Sequence, residues 1–165
     1  MSERTYNVLF LCTGNSARSI LAEAYLNSLA GRRFRAYSAG SHPTGKVNPL
    51  ALDLLERDRI PTQDLRSKAW DEFAQPGAPQ LDMIITVCDQ AAGETCPVWP
   101  GKPITAHWGV EDPAAMTGTD DAKRAAFMKA FTTLQKRIGL LCNLRPEGLD
   151  NMAIEQRLRL IGKER

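Results

Sequence analysis

The run Tyr6–Leu11 (YNVLFL) is almost continuously apolar and ends in the turn formers Thr13, Gly14 and Asn15. A strand with one wet face alternates apolar and polar residues, whereas a short unbroken run suits a strand covered on both faces of a parallel sheet. Directly after the turn, Ile20, Leu21, Ala24, Tyr25 and Leu29 recur at helical spacing, and Gly31 follows as a stop. Strand, tight loop and helix in that order open a βαβ unit, so the chain is directed toward an α/β fold from its start.

The rest of the sequence continues the alternation. Phe34–Ala39 reads as a second strand ended by Gly40, and Pro49–Arg57 as a helix capped by Asn48 with proline in its first turn. Ser67–Phe73 begins another short helix, Leu81–Val87 (LDMIITV) is a third strand and Ile104–Ala106 a short fourth. Asp120–Leu141 is a long amphipathic helix with Ala126, Phe127, Ala130, Phe131, Leu134 and Ile138 on one stripe. From Arg145 onward the chain is charged, and Met152–Ile161 reads as a surface helix with no assigned role. Without repeats, low-complexity tracts or linkers, residues 1–165 form a single domain with a charged helical extension from about 145.

Composition serves mainly to exclude. A net charge of +2 gives no footprint for nucleic acid or a membrane surface. No apolar run approaches the roughly 18 residues of a membrane helix. The apolar run after the first charges ends at once in CTGNS, as a strand does and a signal peptide does not, so a cytoplasmic location is expected. In that reducing compartment the four cysteines, Cys12, Cys88, Cys96 and Cys142, are read as catalytic or metal-binding thiols before disulfides. There is no CxxC pair, and His42 and His107 lie at no zinc-ligand spacing, so no metal is expected. Cys142, after Leu140 and Leu141, is read as structural.

The most informative stretch is Cys12-Thr13-Gly14-Asn15-Ser16-Ala17-Arg18-Ser19, between the first strand and the first helix. A loop entering a helix N-terminus aims several backbone N–H groups at one point and makes an anion site. Gly14 admits close backbone approach and Asn15 tolerates a left-handed conformation. Arg18 offers a planar fork for two oxygens of a tetrahedral oxyanion. The same N–H groups and helix dipole are expected to depress the Cys12 pKa, with Ser19 donating a hydroxyl hydrogen bond to the thiolate.

Two further features stand downstream. His107-Trp108-Gly109-Val110-Glu111-Asp112-Pro113 places a carboxyl on a loop where proline restricts the backbone, suiting Asp112 to protonate a departing oxygen. An Asp-Pro pair alone is also an ordinary turn. Cys88 ends the third predicted strand, and Ala91, Ala92 and Gly93 would let Cys96 approach it. Spacing alone leaves a meeting of the two thiols and two unrelated thiols equally open.

Residues 12–19 resemble the phosphate loop of the low-molecular-weight protein tyrosine phosphatases and of the arsenate reductases built on that fold. The likeness spans roughly residues 6 to 140. It implies a three-layer α/β sandwich with a central four-stranded parallel sheet flanked by helices. It makes Cys12 the nucleophile, Arg18 the oxyanion ligand, and Asn15 and Ser19 the residues that shape the loop. HWG followed by two residues and DP is similar to the acid loop of the arsenate reductases. Phosphatases commonly carry an aromatic residue after this Asp-Pro, and here Ala114 and Ala115 follow, against a phosphotyrosine substrate. The stretch from Cys88 to Cys96 resembles the redox segment of thioredoxin-coupled reductases, although seven residues separate the cysteines where those relatives have six. Some relatives bind potassium beside the loop. Asn15, Glu23 and Ser38 match three of its ligands, and Lys68 stands near the fourth, where an aspartate is usual. The lysine is expected to replace the ion.

The resemblance therefore implies reduction of arsenate to arsenite through Cys12, Cys88 and Cys96, with phosphate or sulfate as substrate analogues and no bound cofactor. Thioredoxin, or glutathione with glutaredoxin, would supply the electrons to a monomeric enzyme. A phosphatase on the same cradle is the alternative enzyme. A thiol-based redox sensor or oxyanion-binding protein is the alternative of another class.

Overall fold

The structure is a computed structural model that describes residues 4–29, 33–88 and 101–163. Strands β1 (Tyr6–Cys12), β2 (Phe34–Gly40), β3 (Met83–Thr86) and β4 (Ile104–His107) form one sheet in the order β2-β1-β3-β4. Every neighbouring pair is parallel, with Cys12 opposite Gly40 and Leu11 opposite Thr86. The helices are α1 (Arg18–Leu29), α2 (Pro49–Arg57), α3 (Asp120–Cys142) and α4 (Asn151–Ile161). Among the described residues, no helix is long and apolar enough to cross a membrane.

The unbroken apolar run of β1 is explained by burial on both sides. Val8, Phe10 and Cys12 face a core shared with all four helices, while Leu9 and Leu11 join Ala39, Phe73, Leu81 and Ile84 in a smaller core on the opposite face. That second face is covered, among the described residues, by a 3-10 turn at Trp70–Ala74 and by Tyr37. Among the described residues, the first of these cores is the larger. Helix α1 is buried around most of its circumference, with Ser19, Ile20, Leu21, Ala22, Ala24 and Leu26 all inside, whereas Leu29 of the expected stripe is exposed.

Several expected boundaries shift. The third strand is shorter than Leu81–Val87, although the Val87 amide still donates to Leu11 O at 2.8 Å. The helix expected from Ser67 begins only at Trp70, because Lys68 and Ala69 run extended beside β2: Gly40 N donates to Lys68 O at 2.9 Å, and Gly40 bridges Ala69. Helix α2 begins as expected, with the Asn48 side chain accepting from the Leu50 amide. Gly31, the expected stop of α1, lies outside the described residues.

The C-terminal helix is the main correction. Only one side of α4 is a surface. Ile154, Leu158 and Ile161 are buried in the principal core, against β4 and α3. Spacing of three and four residues between them lays one apolar stripe on the domain, while Arg157, Arg159 and Met152 take the wet side. The charge of the segment masked that stripe in the sequence.

Candidate active site

Cys12 is the last residue of β1 and Arg18 the first of α1, so residues 13–17 alone must reverse the chain. The turn is shaped from outside. The carbonyls of Thr13, Gly14 and Ser16 accept from the amides of His42 (2.9 Å), Thr44 (3.0 Å) and Asn48 (2.8 Å), and Ser67 Oγ adds a bond to Gly14 O at 3.2 Å. With these three carbonyls engaged from outside, the loop's N–H groups can serve an oxyanion. Asn15 sits at φ 46°, the left-handed conformation expected of it.

The glycine that close packing demands here is Gly40. A Cβ on Gly40 would lie 2.4 Å from Thr13 O and 2.8 Å from Cys12 O, whereas the nearest neighbour at Gly14 would be Thr44 at 3.4 Å. Its signal in the sequence was only that of a strand end. The segment 42–48 was equally illegible, because it acts through backbone amides that any residue type supplies.

Beneath the loop lies a buried polar chain. Asn15 Nδ2 donates to Ser19 Oγ (2.8 Å) and Ser38 Oγ (3.0 Å), and the Lys68 amide donates to Asn15 Oδ1 (2.9 Å). Ser38 Oγ donates in turn to Glu23 Oε1 at 2.5 Å, and Lys68 Nζ stands 3.9 Å from that same oxygen while donating to Arg66 O at 2.9 Å. Asn15, Ser19 and Ser38 are fully buried. Burial pushes the Glu23 carboxyl up and the Lys68 ammonium down from their ordinary values, each opposed by the charge of the other. All four residues expected to support the loop meet here, and the Lys68 ammonium is the cation beside Glu23. Ser19 Oγ accepts from Asn15; a bond from Ser19 to the Cys12 sulfur is not among those formed.

Both cysteines at the strand ends are buried thiols, Cys12 4% and Cys88 2% exposed. Cys88 reaches into the cradle: the Thr13 amide donates to its sulfur at 3.3 Å, and the Thr13 hydroxyl lies 3.6 Å from it, so the second thiol sits beside Cys12. The expected depression of the Cys12 pKa is overturned. The neighbouring Cys88 sulfur and then burial push the Cys12 thiol up, outweighing the Arg18 charge and the Gly14 amide that pull it down. The physical reason is that a thiol facing a second sulfur keeps its proton toward it, and two negative sulfurs side by side repel. Cys142 is half-buried at the end of α3, and burial raises its thiol too, in keeping with a packing role. Cys96, with the segment from Asp89 that leads to it, lies outside the described residues.

Arg18 spans from the cradle to the acid loop. Its Nη1 donates to Val110 O at 2.9 Å, and its Nη2 lies 3.7 Å from Asp112 Oδ2. The arginine side chain is 14% exposed and the aspartate 44%. Asp112 Oδ1 accepts from the Ala114 amide at 3.0 Å and so caps the short 3-10 helix Pro113–Ala115, which fixes the aim of the carboxyl. Cys12, Arg18, Cys88 and Asp112 are thus brought together from three places in the sequence: two thiols, a cation and a carboxyl around one loop. That set can bind a tetrahedral oxyanion, attack its central atom and protonate the departing oxygen.

Among known proteins, the family described as low molecular weight phosphotyrosine protein phosphatase matches residues 7–151. An arsenate reductase of Halalkalibacterium halodurans is 37% identical over 131 residues, 79% of this chain and 91% of that protein. The solved arsenate reductase of Archaeoglobus fulgidus is 28% identical with a TM-score of 0.59, over 80% of this chain and 98% of that one. A thioredoxin-dependent arsenate reductase of Corynebacterium glutamicum is 26% identical with a TM-score of 0.55; the match takes in 86% of this chain and 65% of that longer one.

Proposed function

From the premise that this chain belongs to the low molecular weight phosphotyrosine protein phosphatase family, we propose that it is an arsenate reductase and not a phosphatase. One observation carries the reading: a second thiol, Cys88, reaches the floor of the cradle, where its sulfur takes the amide of Thr13, the residue next to Cys12. Phosphoryl hydrolysis needs one cysteine, since water resolves the covalent intermediate. Reduction needs a second sulfur within reach of the first.

The sequence of steps follows from electron counting. Arsenate sits on the 13–18 amides and the Arg18 fork, and Cys12 as thiolate forms an S–As bond while one oxygen departs as water, its proton supplied by Asp112. Arrival of the anion requires Arg18 to turn from Val110 O and Asp112 toward the oxyanion. The Cys88 thiolate then attacks Cys12 Sγ. An S–S bond forms, the S–As bond breaks with its electron pair left on arsenic, and As(V) departs as As(III) arsenite. Cys96 attacking Cys88 would free Cys12 and move the disulfide outward to a cytoplasmic donor, thioredoxin or glutathione with glutaredoxin. In this reading Ser19, held by Asn15, would turn its hydroxyl to the Cys12 thiolate once that forms, and the Lys68 ammonium serves beside Glu23 where a bound potassium ion would otherwise sit.

The test is arsenate-dependent arsenite formation in two coupled assays, one per donor, on wild type, Cys88→Ser and Cys96→Ser, in potassium and in sodium buffers. Turnover abolished in both variants, and equal in the two salts, supports the relay and the lysine. Loss in Cys88→Ser alone points to a glutathione-type route that bypasses Cys96. Aryl phosphate hydrolysed by every variant with no arsenite formed would return the chain to phosphatase chemistry.

A further inference from the structure

We infer that the C-terminal helix α4 is a positioning element for the acid loop, acting through Trp108 and Gly162; the catalytic half of this inference rests on the arsenate-reductase reading. The family match ends at residue 151, where α4 begins, so the helix side of this contact, Leu158 and Gly162, lies beyond the matched residues, while Trp108 lies within them.

Trp108 is fully buried, its ring 6.1 Å from that of Phe10, and its Nε1 donates to Leu158 O in α4 at 2.8 Å. Leu158 O also takes the Gly162 amide at 3.1 Å, so a single carbonyl ties the helix end to the indole. Gly162 fits against the start of the acid loop with no spare room: a Cβ there would come 2.5 Å from His107 O and 2.7 Å from Trp108 Cδ1. Its backbone is helical, so this glycine is required by contact and not by conformation.

From Trp108 the loop is pinned residue by residue by a different element at each step. The Trp108 amide donates to Thr86 O (2.7 Å), Arg137 of α3 donates to Gly109 O (3.0 Å), and Val110 both donates to Val87 O (3.0 Å) and accepts from Arg18 (2.9 Å). Asp112 follows two residues later. Helix α4 supplies the carbonyl that holds the indole N–H at the start of the loop, and the ring so held is fully buried. A shift of the indole moves the path that leads to the acid, while the carbonyls of the cradle stay held by the 42–48 amides and Ser67, none of which α4 touches through these bonds. Misplacing a reacting group by about 1 Å costs up to roughly 100-fold in rate.

Two full-length variants test this. Trp108→Phe keeps a buried ring and removes the indole N–H; Gly162→Ala leaves the loop's sequence intact and pushes the helix end off it. Amide hydrogen exchange over residues 107–113 should quicken in both, with exchange over residues 12–18 unchanged. The kcat for arsenate should fall by about tenfold, with KM for arsenate and the protection of Cys12 from alkylation by inorganic phosphate at wild-type values. If Trp108→Phe fails to fold, Gly162→Ala carries the test. Unchanged exchange over 107–113 in a folded variant overturns the inference, as does a loosened loop with wild-type kcat, or a KM that rises in step with a falling kcat. If wild type itself forms no arsenite, the reaction reading fails separately. The exchange measurement then decides whether α4 positions the loop: selective loosening supports it and no loosening overturns it.

Discussion

At Cys12 two sets of neighbours pull on one proton. The Arg18 charge and the Gly14 amide favour the thiolate, while the Cys88 thiol and burial favour the neutral form and prevail. Removing Cys88 deletes the first and strongest of the raising influences, so Cys88→Ala should make Cys12 more reactive toward iodoacetamide. The expected gain at neutral pH is about tenfold or more, the effect of one pKa unit, and the rise of rate with pH should move to lower pH. Peptide mapping isolates Cys12 from the other thiols. A rate equal to or below wild type would mean that Cys88 does not hold the proton. The same floor contains the tightest steric demand in the site. Gly40→Ala would drive a Cβ into Thr13 O and Cys12 O, and because both belong to the cradle, the loop must yield. Protection of Cys12 by arsenate or phosphate should be lost in that variant while far-UV circular dichroism stays near wild type.

Between elements, the buried pair of Glu23 on α1 and Lys68 beside β2 joins the two sides of the cradle's underlayer, with side chains 12% and 6% exposed. Neither charge is cheap at that depth, and each is tolerated because the other is there. Lys68→Met alone should therefore destabilise the fold by about 3 kcal/mol, by leaving a buried carboxylate unpaired, while Lys68→Met combined with Glu23→Gln should recover most of that loss. Urea melts of the four species in one double-mutant cycle measure this; a double loss equal to the sum of the two single losses would show that the pair is not coupled. This network also shows what the sequence carried and what it did not. Cys12, Asn15 and Arg18 were legible because their roles are local: a strand end, a left-handed turn and a first helical turn fall within one short segment. The strands and α2 were legible for the same reason, from apolar runs and a capping residue. Gly40, the amides of 42–48 and Trp108 were not, since what they do depends on a carbonyl or a ring supplied by a distant element. The Cys12 thiol was misjudged on the same account, because its dominant neighbour, Cys88, comes from beyond the end of the adjacent strand β3, far away in the sequence.

For the molecule as a whole, the position of α4 decides whether the chain is a domain with an appendage or a single cooperative body. Charge from Arg145 onward suggests an appendage. The packing argues otherwise, since Ile154, Leu158 and Ile161 sit in the same core as Phe10, Trp108, Phe131 and Ile138. A helix that merely rested on the surface would melt on its own, and truncating one of its apolar residues would leave the main transition in place. A helix that completes the core shares its free energy with everything it touches. Leu158 is fully buried, so Leu158→Ala should lower global stability by about 2–5 kcal/mol, the cost of a large-to-small change in a packed interior. For a chain of this size each kcal/mol moves Tm by roughly 2–4 °C. The decisive observation is the number of transitions: tryptophan fluorescence and far-UV circular dichroism should still fall together, at one lowered midpoint. An early, separate loss of helical signal with the main midpoint unmoved would restore the appendage, and would cut the physical link by which the end of the chain reaches the acid loop.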